Sequence, residues 1–371
     1  MKTSDDHRKE EPQASSHWTD VLSPFLQLGV FAFGGPAAHI ALMEQEFVDR
    51  RKWLDKDHFL DLVGVTSLIP GPNSTEMTMH IGYERAGALG LFAAGASFIL
   101  PTTILTTALA WAYTTYGQVP QVVPFLIGIK AVVLTIMVSA ILRLGKRAIK
   151  SWRLGFLGVM VLAFSLLGVN ELALLFGGGL LGMLWLRVTQ GISVTALLSG
   201  LILSQGKAAK ALVGSKVLTP VSSWKLFWFF LKIGSVLYGS GYVLVAFLDG
   251  QLVNELGWLT QAQLLDAVAA GQLAPGPVLS TATFIGFLLG GVKGALAATI
   301  GIFLPSFFFV LALNRFVKRL RKSVWLSAFL DSVNIVAVAL MLKATLSLGL
   351  SVFVSWQAGL IAILAIALQF K

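Results

Sequence analysis

The sequence predicts an all-α protein that crosses a membrane several times and consists of two homologous halves of opposite topology. Three observations lead to this fold class. The 371 residues are 56% hydrophobic and only 12% charged, too few charges to cover the surface of a soluble protein of this size. The first half recurs in the second at a nearly constant offset. Loops that are basic in one half lack Lys and Arg in the other.

Apolar segments long enough to cross a bilayer recur along the chain, for example at 86–111, 122–142 and 154–169. Most of the 37 glycines and 12 prolines lie inside such segments, where neighbouring helices tolerate them. The sequence contains no cysteine, which excludes disulfides, thiolate metal sites and thiol catalysis. We find no Walker A, HExxH or Cys/His metal pattern, so we expect neither enzymatic activity nor a cofactor.

The internal repeat is visible by eye. Phe25-Leu26-x-x-Gly29 recurs as Phe230-Leu231-x-x-Gly234, an offset of 205 residues. After one lost residue the offset is 204, as in Leu100-Pro101 and Leu304-Pro305. The repeat divides the chain into a polar N-terminal tail (1–19), a first repeat (20–168), connecting helices with a linker (169–224) and a second repeat (225–371).

The two repeats differ in the charges of their loops. Loop 49–58 has four basic residues and its partner 253–263 has none, and 143–153 has five where 347–357 has none. Loop 113–123 has none, whereas its partner 314–323 has five. Because cytoplasmic loops hold the Lys and Arg, the halves are predicted to have inverted topology, as in many secondary transporters. The positive-inside rule also explains the net charge of +10, so we expect contact with the lipid bilayer and not with nucleic acid.

Two helical segments in each half are predicted to be broken. The first break is Phe33-Gly34-Gly35-Pro36, matched by Tyr238-Gly239-Ser240-Gly241, and the second is Pro70-Gly71-Pro72, matched by Pro275-Gly276-Pro277. Proline removes a hydrogen-bond donor and disfavours helix in the preceding residue. The residues that follow the second break, Asn73, Ser74 and Thr75, are predicted to cap a new helix, with Ser280 and Thr281 similarly placed in the second half.

The segment around Pro70-Gly71-Pro72 is predicted to be a re-entrant hairpin. Its arms, 58–69 and 73–83, are too short to cross a bilayer at about 1.5 Å per residue. A basic loop precedes it and Arg85 follows it, so both ends should lie on the cytoplasmic side. The tip near mid-membrane would then present free N–H groups and a positive helix dipole, which together favour an anion.

Lys130 lies deep in an apolar run, where an ionisable side chain is costly and often functional. The alternative is a lysine that snorkels to the surface or pairs with a carbonyl. Its counterpart in the repeat is Asn334, and Lys343, nearer a helix end, is predicted to snorkel.

His39 and His80 follow the first-half breaks and are either site residues or buried structural histidines. Glu76, one turn after Pro72, either complements the helix N-terminus or, like His80, is a proton-coupling candidate.

The motifs Phe33-Gly34-Gly35-Pro36, Arg50-Arg51-Lys52-Trp53-Leu54 and the duplicated Pro-Gly-Pro resemble those of the chromate ion transporter family, long-chain type. The resemblance covers nearly the whole chain beyond the tail. It implies export of chromate, an oxyanion that cells mistake for sulfate. The family often has a glutamine three residues before Pro-Gly-Pro, which is Gln272 here but Ser67 in the first half. Since the second half also lacks a full Gly-Gly-Pro, the first-half break is the expected main anion contact.

The sequence therefore predicts a secondary transporter in the inner membrane that exports chromate, driven by membrane potential, a proton gradient or both. A transporter of another oxyanion such as sulfate, or a membrane-embedded protein that transports nothing, remains an alternative. A homodimer is compatible with the sequence, and the side of the N-terminus stays open. The candidate substrate-binding residues are Gly34, Gly35, Pro36, His39, Pro70, Gly71, Pro72, Asn73, Ser74, Thr75, Lys130, Gly239, Gln272, Pro275, Gly276, Pro277, Ser280 and Thr281.

Overall fold

The structure is a computed structural model that describes residues 17–67, 69–117, 119, 122–187, 221–238, 241, 243–313 and 323–352. These residues form helices and connecting turns and include no strand, which confirms the predicted all-α class. The helices are α1 (Thr19–Phe31), α2 (Gly35–Glu44), α3 (Lys56–Thr66), α4 (Asn73–Tyr116), α5 (Val123–Ala148), α6 (Trp152–Leu166), α7 (Glu171–Arg187), α8 (Ser223–Val236), α9 (Val243–Leu248), α10 (Gln261–Leu273), α11 (Thr281–Leu313) and α12 (Val324–Val352). Two π-helical segments, Gln45–Arg50 and Asp249–Glu255, continue α2 and α9, and a 3₁₀ turn, Val278–Ser280, precedes α11.

Four helical stretches in the described part of the chain are long and apolar enough to cross a membrane: Asn73–Tyr116, Pro124–Ala148, Val278–Ala312 and Val324–Leu350. Their mean hydropathy of 1.8 to 2.5 matches the interior of a bilayer. The chain is therefore a multi-pass membrane protein.

Glycines set the closest helix contacts in both halves. A Cβ at Gly29 on α1 would lie 2.7 Å from the carbonyl oxygen of Phe98 on α4. Gly234 on α8 lies similarly close to the carbonyl oxygen of Ile302 on α11. Small residues let membrane helices approach backbone to backbone, so these two matched glycines fix the packing of α1 on α4 and of α8 on α11.

The helix α4 changes direction between Ala86 and Gly87, whose backbone angles are not helical. The carbonyl of Gly90 touches the Cα of Gly82, although eight residues of straight helix would separate them by about 12 Å. The helix 73–85 therefore folds back along the helix that starts at 88. Gly290 and Gly291 make the same reversal in α11, with nearly the same angles.

The predicted breaks are present wherever the structure describes them. Helix α1 ends at Phe31, and Gly34 has a φ of 103°, a conformation that is strained for residues with a side chain. Pro70-Gly71-Pro72 separates α3 from α4. In the second half, Gly239 and Ser240 lie outside the described residues.

The predicted capping role of Asn73, Ser74 and Thr75 is wrong. The residue before the helix is Pro72, no side chain caps the helix, and Asn73 is its first residue. The carbonyl of Pro72 accepts the N–H groups of Thr75 and Glu76, at 2.8 and 3.0 Å. The backbone thus satisfies these donors itself, which leaves the side chains of the first turn free for other contacts. In the second half, Thr281 donates to the carbonyl of Val278, at 2.9 Å, and does not cap either.

Candidate functional site

The first tip (Pro70-Gly71-Pro72) and the second tip (Pro275-Gly276-Pro277) each contact the residue just before the first break of the opposite half. The N–H of Gly71 donates to the carbonyl of Leu237, at 2.6 Å, and the N–H of Gly276 donates to the carbonyl of Ala32, at 2.8 Å. Leu237 and Ala32 are the residues that end α8 and α1. Gly71 with Gly276, and Ala32 with Leu237, are equivalent positions of the repeat, so the two hydrogen bonds are reciprocal. The structure therefore places each Pro-Gly-Pro segment against the residue that precedes the first break of the opposite half.

A hydroxyl from the opposite half lies beside each tip. Thr102 on α4 donates to the carbonyl of Pro275, at 2.5 Å, and its hydroxyl lies against the Cα of Gly276. Ser306 on α11 lies against the Cα of Gly71. The sequence analysis missed both hydroxyls. The signal was available, because each follows a proline of the repeated Leu-Pro motif.

The glycines of the tips cannot be exchanged for larger residues without strain. Gly71 and Gly276 have φ values of 144° and 89°, which residues with a side chain rarely adopt. A Cβ at Gly71 would also overlap the carboxylate of Glu76 and the hydroxyl of Ser306. Both tips are buried between the halves.

Glu76 is fully buried at the first tip. Its side chain borders Gly71 and Ser306. Neither carboxylate oxygen has a hydrogen-bond partner of normal geometry among the described residues, and the same is true of the hydroxyls of Thr75 and Ser306. Such unpaired polar atoms are costly in an apolar interior, so this cluster is suited to a polar ligand or a proton.

The two predicted histidines are both buried, with 1% of their surface exposed. The Nε2 of His39 lies 3.0 Å from the carbonyl of Ala32, the same carbonyl that accepts the N–H of Gly276. His39 is therefore part of the contact between the first break and the second tip. Neither ring nitrogen of His80 has a partner among the described residues, and its place on 73–85 puts it one turn beyond Glu76.

The second tip carries fewer free polar groups. The hydroxyl of Ser280 and the Nε2 of Gln272 are buried without partners in the described structure. Gln272 also lines an apolar cavity of about 550 Å³ between α5 and α10. Pro275, Gly276 and Pro277 are buried like their first-half counterparts, whereas Gly34 of the first break is exposed and Pro36 half-buried.

Lys130 is paired within the protein. Its Nζ lies 3.1 Å from Asp266 on α10, and the hydroxyl of Tyr113 donates to the same carboxylate, at 2.9 Å. The lysine comes from the first half and the aspartate from the second, so the pair links the two. Asp266 therefore balances the charge that we expected to face an anion. Sequence analysis missed this partner because the two residues are far apart in the chain.

The prediction that Lys343 snorkels is wrong. Its Nζ lies 3.3 Å from Asp249 and 3.5 Å from Glu171, and only 17% of its side chain is exposed. Two acidic residues in otherwise apolar segments were the available signal for this cluster.

The chain matches known proteins over nearly its whole length. The family model described as "Chromate transporter" matches it twice, at residues 19–183 and 224–371. A "Probable chromate transport protein" of Synechococcus elongatus is 30% identical over 94% of this chain and 88% of its own length. A "Chromate transport protein" of Cupriavidus metallidurans is 30% identical over 94% of this chain and 86% of its own. An uncharacterized transporter of Methanocaldococcus jannaschii is 27% identical over 100% of this chain and 94% of its own. No solved structure matches the chain.

Proposed function

The chain belongs to the chromate transporter family, and on that premise we propose that it exports chromate across the inner membrane and so confers chromate resistance. The observation that carries the proposal is the reciprocal pairing of the tips: Gly71 with Leu237, and Gly276 with Ala32. This pairing gathers helix ends, hydroxyls and non-helical backbone from both halves. Such backbone is tolerated at membrane depth only where protein buries it or where it lines a cavity.

The proposal includes an inverted topology with two re-entrant hairpins. The arms of the first hairpin are α3, with 11 residues, and 73–85, and they reach only about 16–20 Å against a hydrocarbon core of about 30 Å. The chain reversals at Gly87 and Gly291 support a return to the same side of the membrane. The opposite charges of matched loops support entry of the two hairpins from opposite sides.

We assign the oxyanion to the first tip and the groups around it. Helix N-termini and hydroxyl groups bind anions without a formal positive charge. Candidates are the N-terminus of 73–85, the unpaired hydroxyl of Thr75 and the hydroxyl of Ser306 beside Glu76, with the remaining tip residues as supporting backbone. An ionised Glu76 would repel a dianion at Gly71, so the proposal requires a neutral Glu76 when the oxyanion is bound. This requirement keeps Glu76, and His80 beside it, as proton-coupling candidates.

Lys130 has a different part in this proposal. Lys130 is already paired with Asp266. A direct contact between Lys130 and the substrate would therefore require this ion pair to break. We propose that the pair links the two halves and opens only if the substrate path passes α10.

The energetics favour export. A dianion that leaves a cell with a negative interior gains about 4.6 kcal/mol per 100 mV, twice the value for a single charge. Membrane potential alone is therefore sufficient to drive outward transport, and a proton gradient adds to it.

Everted membrane vesicles test this function, because export in the cell becomes uptake into the vesicle. Vesicles with the chain should accumulate chromate when energised, and vesicles without it should not. Sulfate as a competitor measures selectivity: inhibition at equal concentration would favour a general oxyanion transporter. Equal chromate uptake with and without the chain would contradict the proposal.

A further inference from the structure

A second buried charged cluster lies apart from the paired tips. Lys343 on α12 bridges Glu171 at the start of α7 and Asp249 at the start of the second π-helical segment. Asp249 is fully buried and the side chain of Glu171 is 10% exposed. The cluster thus holds two carboxylates and one ammonium group, contributed by three separate elements.

Among the described residues, Lys343 is the cation that pairs with the two carboxylates. Asn254 donates to the Oδ2 of Asp249, at 3.4 Å, and Lys232 on α8 donates to Gln251 of the same π-helical segment, also at 3.4 Å. The Oδ1 of Asp249 has no partner among the described residues. The carboxylate of Glu171 lies against the Cα of Gly250, where a Cβ would overlap it, so backbone packs directly on the acidic pair.

Charge neutrality then requires one more positive charge in the cluster. A net buried negative charge is unfavourable in an apolar interior, and the space beside Gly250 is filled by the carboxylate itself. A proton on one carboxylate oxygen supplies the missing positive charge and needs almost no space. Lys343 can then pair fully with the carboxylate that remains ionised.

We propose that Glu171 and Asp249 share one exchangeable proton and that the Glu171–Asp249–Lys343 cluster is a proton-binding site that couples transport to the proton gradient. The step is a simple proton transfer: an O–H bond forms on a carboxylate as hydronium gives up its proton, and no electrons are exchanged. The inference rests on the proposed chromate transport, because coupling needs a transported substrate.

The cluster lies close in sequence to a residue that contacts the first tip. Leu237, which accepts the N–H of Gly71, lies just before the first break of the second half, and Asp249 follows α9 directly. The residues of α9 are all buried. A change in how Lys343 holds Asp249 therefore acts on the segment that supports the first tip. π-Helical segments of this kind are frequent at functional sites.

The first half does not contain this site. The repeat equivalent of Asp249 is Glu44, which pairs at 3.1 Å with a largely exposed Lys56, and the equivalent of Lys343 is Ser139. Glu44 is therefore a matched control: an acidic residue at the same place in the repeat, whose charge is already solvated and paired.

Purified protein in liposomes tests the proposal through two fluxes, measured at pH values where chromate stays a dianion. The first is exchange of chromate for chromate, which needs no net proton movement. The second is net chromate flux driven by a pH gradient. We expect Glu171→Gln and Asp249→Asn to lower the gradient-driven flux by about tenfold, on the scale of ordinary coupling free energies, while exchange persists. Glu44→Gln should keep both fluxes.

A direct proton measurement does not depend on the variants. A pH dye enclosed in liposomes with unmodified protein should report protons that move opposite to chromate. No chromate exchange by the unmodified protein would overturn the proposed function itself. Net chromate flux without proton movement, or a full response to the gradient in both Glu171→Gln and Asp249→Asn, would overturn only the coupling site.

Discussion

Replacement of Gly71 by alanine tests the role of the first tip. The new Cβ meets two obstacles: a φ of 144°, and overlap with Glu76 and Ser306. The backbone conformation costs about 1–2 kcal/mol and the overlap about 1–3 kcal/mol, so the local strain is about 2–5 kcal/mol. The tip can relieve it only by a shift that weakens the 2.6 Å hydrogen bond to Leu237. Since about 1.4 kcal/mol corresponds to a factor of ten, we expect chromate transport to fall by at least tenfold.

Two glycines provide matched controls for this substitution. Gly257 has a φ of 60° and open space where a Cβ would lie, so Gly257→Ala carries the conformational cost without the overlap. Its repeat equivalent, Lys52, has a φ of 53°, so this conformation accommodates a side chain. At Gly145, in α5, a Cβ would make an ordinary contact, 3.8 Å from Val338.

The assay is chromate uptake by everted vesicles, divided by the amount of inserted protein. Both control variants should transport at normal rates, and Gly71→Ala should be inserted in normal amount. Normal uptake by Gly71→Ala, with unchanged half-saturation, would refute the assignment of the substrate to this tip.

Three further expectations follow from other contacts. Lys130→Gln removes the cation beside the buried Asp266, which keeps only the hydrogen bond from Tyr113, and should lower stability by about 3–5 kcal/mol. The double variant with Asp266→Asn should recover in a thermal melt. A double variant as unstable as the single one would mean that loss of the ion pair is not the cause. Thr102→Val removes the donor to the second tip and should cost about 1–3 kcal/mol, measured by the same melt; an unchanged melting temperature would count against the contact. A single cysteine at position 52 should react with an impermeant reagent from the inside, and one at position 255 from the outside. If both cysteines are labelled from the same side, the inverted topology is refuted.

Much of the fold was predictable because its signals are local. A Pro-Gly-Pro triplet stops a helix and the repeat duplicates it, so Pro70-Gly71-Pro72 and Pro275-Gly276-Pro277 were recognisable as helix ends. Single prolines do not have this effect here, since Pro24, Pro101 and Pro305 lie inside helices. The glycines at 29 and 234 were recognised as repeated, although their role in helix packing became clear only from the structure. Hydrophobic length predicted the spans in α4 and α5, whereas the predicted span 154–169 falls in α6, whose 15 residues are too few to cross a bilayer.

The partners of the charged residues were not predictable in the same way. Nothing near Lys130 in the sequence indicates Asp266, since the pair forms only when the two halves pack together. Lys343 was misjudged from its position near a helix end, although Glu171 from the connecting segment and Asp249 surround it.

The capping prediction failed for a related reason. Asn73, Ser74 and Thr75 have the composition of a cap, but Pro72 already occupies that position. The hydrogen bond of Gly71 to Leu237 fixes the backbone there. A tertiary contact therefore determines where this helix begins, although the local composition predicted a side-chain cap there.

The central claim is that the chain carries chromate across the membrane through the paired tips. The most direct measurement uses purified protein in liposomes loaded with chromate, with a potassium gradient and valinomycin to set the membrane potential. We predict chromate efflux that accelerates when the interior is made negative, slows when the potential is collapsed without a pH gradient, and falls at least tenfold in Gly71→Ala. Chromate release that is the same at every potential, or the same in liposomes without protein, would contradict the account.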